Sequence, residues 1–142
     1  PVLAIPENSK FQPIKRIMFA SDYKKVEILA LKLVRKIAIT LNAAIDFVSI
    51  NKYVRETLSK KKKEEINRLD RFFGKEVKHT FEFYVDDDVL EGINEYLKYH
   101  QDVGMIIMVT RRRKMLLDRI FSSSITKEMA FHTNFPLLAL HS

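Results

Sequence analysis

Gly104-Met105-Ile106-Ile107-Met108-Val109 decides the fold. It contains no polar side chain, so neither face of a strand built from it can meet water; it reads as a central strand covered on both sides. Such strands belong to parallel sheets with helices on both faces. The sequence around it alternates between short β-rich runs and longer stretches of helical period, the pattern of βαβ units. Toward the N-terminus, 14–21 (IKRIMFAS) reads as a first strand. Residues 24–41 repeat apolar side chains at Val26, Leu29, Leu33, Ile37 and Leu41, the spacing of one helix face. Residues 44–51 (AIDFVSIN) form a second strand, and 54–73 a helix whose charged centre, 59–71, must face solvent. Residues 77–85 alternate as a half-buried or edge strand. Asp86, Asp87 and Asp88 then offer N-caps for a helix reaching about His100. Toward the C-terminus, 122–132 reads as a serine-capped helix and 136–141 as a last strand. The predicted architecture is α/β: three layers, doubly wound, a five-stranded mostly parallel sheet with helices on both faces.

Composition bounds the remaining possibilities. The chain of 142 residues is one domain in size, and 46% hydrophobic with 30% charged residues is a globular balance. Cysteine is absent, which removes disulfides, thiolate metal sites and a cysteine nucleophile, and fits a reducing, cytoplasmic setting. No apolar run approaches the ~18 residues of a membrane span, and no membrane partner is expected. Lys and Arg exceed Asp and Glu by 25 to 18, a net charge of +7, which attracts small anions without naming one.

The first residues carry an echo of the last. Pro1-Val2-Leu3-Ala4-Ile5 is matched by Pro136-Leu137-Leu138-Ala139-Leu140, one domain length later. Such self-similarity is the mark of a tandem repeat. On this reading 1–13 is the terminal strand of an upstream copy plus a polar linker, and 14–142 is the domain itself.

Ligands of open α/β sheets sit outside the carboxyl ends of the strands, where strand order reverses. Those ends carry Asp22, Asn51, Asp86 and the basic run Thr110-Arg111-Arg112-Arg113-Lys114. The basic run leads toward Ser122, Ser123 and Ser124 at a helix start, where hydroxyls, cations and free N–H groups suit a phosphate-like anion. The plainer reading is a solvated loop and an ordinary cap. Asp22 can accept a hydrogen bond from a ligand or simply start a helix. The three aspartates lack calcium-loop spacing and read as a cap. His79, His100, His132 and His141 are scattered, without metal-ligand spacing, and no catalytic residue or metal site emerges. Lys60, Lys61, Lys62 and Lys63 are offset by Glu56, Glu64 and Glu65, which makes nucleic acid an unlikely partner. Neither GxGxxG nor GxxxxGK[ST] occurs, and three glycines leave none for a phosphate loop.

Taken together, IKRIMFASDY, GMIIMVTRR and SITKEMAFHTNFPLLAL resemble the universal stress protein family over nearly the whole chain. The resemblance implies an adenine nucleotide alpha hydrolase-like fold, and PVLAIP is similar to that family's terminal strand. It also implies pairing with an upstream copy or a homodimer through the last strand. Asp22 corresponds to the aspartate that contacts adenine in members that bind ATP, while Val109, Arg112 and Ser123 stand where those members have glycine. Ser124 keeps the family's hydroxyl. Side chains at these places fill the space that phosphates need. The reading is therefore a non-enzymatic stress-response module with a degenerate nucleotide site and no cofactor; the alternative is ATP or AMP held with altered phosphate contacts from Arg111, Arg112, Arg113 and the serines.

Overall fold

A computed structural model describes residues 1–7, 9, 12–53, 59–110 and 134–141. The elements are β1 (Val2–Ala4), β2 (Arg16–Ala20), α1 (Ile28–Leu41), β3 (Ala44–Asn51), α2 (Lys60–Phe73), β4 (His79–Val85), α3 (Val89–Tyr99), β5 (Val103–Thr110) and β6 (Leu137–His141). They build one six-stranded sheet in the order β1-β6-β5-β2-β3-β4. Every neighbouring pair is parallel except β1 with β6, which is antiparallel. The expected five parallel strands are present; the sixth is the N-terminal segment itself. Val2, Leu3 and Ala4 lie opposite Ala139, Leu138 and Leu137, covering the edge that β6 would otherwise expose. The predicted helix 122–132 lies outside the described residues.

Alternation within the strands sorts the core into two layers. Ile17, Phe19, Ile45, Phe47, Met105 and Ile107 face α1 and α2, which contribute Leu31, Val34, Leu69 and Phe73. Met18, Val48, Ile106 and Leu137 face the other way, against Ile93 and Tyr96 of α3. The apolar run of β5 is thus buried on both sides, as its composition requires. At its start the register with β2 shifts around Gly104, where an added Cβ would sit 2.9 Å from Ile14 Cα. Only glycine allows the segment entering β2 to cross so near.

Helix α1 begins at Ile28, four residues later than its periodicity predicts. The cause is a turn at Ser21-Asp22-Tyr23, in which Tyr23 takes φ 50°. Val26 still packs inward, but from the loop. Asp88 caps α3 as expected, its Oδ1 accepting from the N–H groups of Leu90 (2.7 Å) and Glu91 (3.3 Å). Ser59 caps α2.

One feature of the α3 side escapes any apolar pattern. Asp46, near the start of the hydrophobic β3, is 1% exposed. Arg16 Nη1 donates to both its oxygens (2.9 and 2.8 Å), Thr80 Oγ1 donates at 2.7 Å and the Tyr96 hydroxyl donates as well. Arg16 Nε extends the chain to Asp102 at 2.7 Å. Hydrogen bonds to Asp102 and Asp46 hold the guanidinium protonated far above its ordinary range. Burial, then the bond to Asp46, pushes the Tyr96 hydroxyl up. The carboxylate ties β2, β4 and α3 to β3 with its acceptors satisfied, the condition under which a buried charge is tolerated.

Asp46→Ala is expected to lower unfolding stability by about 3 kcal/mol, the low end for breaking a buried pair because Arg16 can turn to solvent. Chemical denaturation measures it. Arg16 lowers the pKa of Asp102, so its contribution is present above the unfolded carboxylate pKa and lost as pH falls through the folded value. Asp102→Asn therefore flattens the acid limb of the stability curve, by a small amount since Asp102 is mostly exposed. Gly104→Ala is expected to cost about 1–3 kcal/mol through the clash with Ile14.

Candidate functional site

The strand order reverses beside β2: β3 pairs with one side of it and β5 with the other. The loop leaving β2 climbs to the α1 layer, while α3 covers the opposite face. A cleft of about 300 Å³ opens between them. Ala20, Ser21 and Asp22 come from the end of β2, Val48 and Ile50 from β3, Val89 and Ile93 from α3, and Met108 and Val109 from β5. Its walls are apolar, with Asp22 and Lys24 at the mouth. Gly92 brings α3 onto the floor: a Cβ there would lie 2.6 Å from Ile50 Cγ2.

The loop carrying Asp22 is held at three points. Ser21 donates its N–H to Val48 O (2.9 Å), and its hydroxyl accepts from the N–H of Tyr23 (3.0 Å). The buried Tyr23 ring lies against Phe83, centroids 5.2 Å apart, and its hydroxyl donates to Phe47 O at 2.6 Å. Burial drives that phenol's pKa well up, so it remains a donor. The third hold comes from α2. Glu65 Oε1 accepts the Val26 N–H (3.1 Å), Arg68 Nη2 donates to Val26 O (2.8 Å), and the two side chains join each other at 2.6 and 2.8 Å. The pair presents one acceptor and one donor to a single residue, as a neighbouring strand would.

Asp22 thus has defined surroundings. Its Oδ1 accepts the Lys24 N–H at 3.0 Å and its Oδ2 lies 3.0 Å from Lys24 Nζ. It shapes the turn and does not cap α1, whose N-cap is Glu27. Asn51 and Asp86, which share its end of the sheet, do not line the cleft. Asn51 is buried and donates to Ser49 Oγ (3.1 Å) while accepting from Lys62; Asp86 accepts the Asp88 N–H at 2.8 Å. Of the other residues singled out in the sequence, Arg111, Arg112, Arg113, Ser123 and Ser124 lie outside the described residues. His79 bonds Val77 O and Asp70, and His100 stacks on Tyr96. Sequence reasoning missed the Glu65–Arg68 hold. The signal was there: Glu65, Leu69 and Phe73 recur every four residues and are the buried residues of α2.

Chemically, the cleft offers apolar walls to a flat ring and one carboxylate to a donor. At the nearby start of α3 the N–H groups of Leu90 and Glu91 are taken by Asp88, and its acidic surroundings repel further anions. Among the described residues no cluster of three metal-binding side chains occurs, and no helix is long and apolar enough to cross a membrane.

No protein-family model and no curated protein matches the chain. A crystal structure of a universal stress protein in complex with cAMP matches it in three dimensions with a TM-score of 0.67, over 92% of this chain and 98% of that one. Sequence identity is 12%, so the likeness is one of fold. The chain has the doubly wound α/β fold that universal stress proteins share.

Glu65→Ala is expected to leave the Val26 N–H and Arg68 without their partner, costing about 1–3 kcal/mol. Hydrogen exchange at Val26 should accelerate more than at Ile45 in the sheet, because the loop is released first.

Proposed function

We propose that this domain is a non-enzymatic regulatory module of the universal stress protein type, working in the cytoplasm through its sheet edge, with a nucleotide cleft reduced to a weak seat for a purine ring. The observation that carries this is the cleft itself: about 300 Å³, apolar, and placed at the strand reversal. That volume is the lower bound of ordinary ligand pockets. A base fits between Val48, Ile50 and Met108, with Asp22 accepting from its exocyclic amine. Phosphates do not fit as well. Val109 stands where a glycine would free backbone donors, and the start of α3 is already capped by a carboxylate. The nucleotide, if bound, brings the phosphate charge; the residues described here orient only its base.

The second reading, an ATP- or AMP-binding module, is favoured by the cAMP complex of the structural neighbour and by the retained cleft. In that reading Arg111, Arg112, Arg113, Ser123 and Ser124 supply the phosphate contacts. Calorimetric titration with adenosine, AMP and ATP, with and without Mg²⁺, separates the two. The proposal expects adenosine and ATP to bind alike, at millimolar Kd, about 4 kcal/mol, and expects Arg111, Arg112 and Arg113 changed to Ala to make no difference at high salt. Micromolar ATP binding lost in that triple variant establishes the second reading.

The sheet edge supports the interaction half. Val2 and Leu3 of β1, and Ile5 just after it, are each at least half exposed. An apolar edge of that kind pairs with another strand unless covered. The reading takes the partner to be an upstream copy or a second molecule. Removing residues 1–6 is expected to uncover β6, lowering stability and changing the oligomeric state seen by sedimentation. Unchanged values contradict the proposal.

A further inference from the structure

Among the described residues, charge is not spread evenly over the two helical layers. Helix α1 carries Lys32, Arg35 and Lys36 and no acidic residue. On the opposite face of the sheet, α3 and the turn before it carry Asp86, Asp87, Asp88, Glu91 and Glu95, against a single Lys98. Both helices expose large apolar side chains beside these charges: Leu29 is 71% and Tyr99 69% exposed.

The two surfaces also match in spacing. Lys32, Lys36 and Thr40 recur every four residues along the exposed side of α1. Glu91, Glu95 and Tyr99 do the same on α3. Four residues advance a helix by about 6 Å, so two lysines on one helix meet two glutamates on another without adjustment of either. Beside the lysine row lies a depression of about 230 Å³ bounded by Lys32, Arg35, Lys36, Ile39 and Thr40. Arg35, on one side of it, pairs with Glu76. Lys32 and Lys36 have no carboxylate partner among the described residues. An exposed tyrosine next to acids is the shape and chemistry that such a depression accepts, the ring against Ile39 and under the cations.

We infer that α1 of one copy of this chain docks α3 of another, Glu91 and Glu95 facing Lys32 and Lys36 while Tyr99 seats in the α1 depression. The occupant is a second copy because both complementary halves stand on the same chain. Since α1 and α3 cover opposite faces of the sheet, two molecules cannot exchange both contacts around one two-fold axis. The contact is head-to-tail and propagates. It is independent of the cleft and of the β1 edge, and an edge-paired dimer would carry it unchanged on its outer faces.

Two charge-reversed variants test this by sedimentation velocity over a range of concentrations: Lys32→Glu with Lys36→Glu, and Glu91→Lys with Glu95→Lys. All four side chains are exposed, and far-UV circular dichroism verifies the fold. Each variant alone is expected to lose concentration-dependent assembly by about tenfold or more, through like charges brought face to face. The equimolar mixture is expected to regain it, because each then meets its opposite. Tyr99→Ala is expected to weaken assembly of the parent chain by a similar factor without changing its charge. The inference is overturned if the parent shows no concentration-dependent assembly. It is also overturned if the reversals leave assembly intact, if the mixture fails to recover it, or if Tyr99→Ala has no effect. Binding of the parent to anionic phospholipid vesicles that Lys32→Glu with Lys36→Glu abolishes, with no self-assembly in the absence of vesicles, assigns the α1 face to a membrane and likewise overturns it.

Discussion

The cleft of this molecule follows from β2 being paired in parallel on both sides. A strand so placed buries both faces, and the chain must leave its carboxyl end by climbing to one layer while the neighbouring crossover serves the other. A gap between the two departures is unavoidable. Here that gap is floored by Val48 and Ile50, walled by α3 and closed at the side by the loop 21–27. Hydrophobic burial assembles the sheet without regard to the gap; keeping it shaped is the work of the Tyr23 anchor and the Glu65–Arg68 hold, both of which act on the loop from the α1 and α2 layer.

The opposite layer relies on a different device. Asp46 gathers Arg16, Thr80 and Tyr96 at the amino end of the sheet, away from the cleft. It fixes α3 against the strands by directional bonds where apolar packing alone would let the helix slide. Because α3 supplies Val89 and Ile93 to the cleft, a polar cluster remote from any ligand helps set the width of the site. The two layers therefore shape one cavity from opposite sides by independent means.

The strands were legible in the sequence because a buried parallel strand has to be apolar: Gly104 to Val109 lies within the observed β5, and 44–51 is reproduced to the residue. The Asp88 cap was legible for the same kind of reason, a local hydrogen bond with few alternatives. What periodicity missed were the places where long-range partners decide. Asp46 and Glu65 are carboxylates inside apolar layers: Asp46 is met by Arg16 from a neighbouring strand, and Glu65, paired with Arg68 one turn along the same helix, accepts the Val26 N–H from the distant loop after β2. The start of α1 was predicted too early because Val26 fits the helix spacing yet packs from a loop that Tyr23 bends into positive φ. Asp22 lines the mouth of the cleft, while Asn51, at the same end of the sheet, turns to the α2 side. The alternation of strand faces separates the two: Val48 and Ile50 face the cleft, and Ser49 and Asn51 do not.

The central claim is that the cleft at the strand reversal receives a purine ring and little else. Two-dimensional NMR of the chain titrated with AMP tests it most directly, since amide shifts report both place and affinity. The account predicts changes confined to residues around the cleft, Ser21, Asp22, Ile50 and Met108 among them, still rising at millimolar ligand and little altered by salt. Saturation at micromolar AMP with the largest shifts at Arg111, Arg112, Arg113 and Ser124, or shifts scattered over the exposed lysines and abolished by salt, would contradict it.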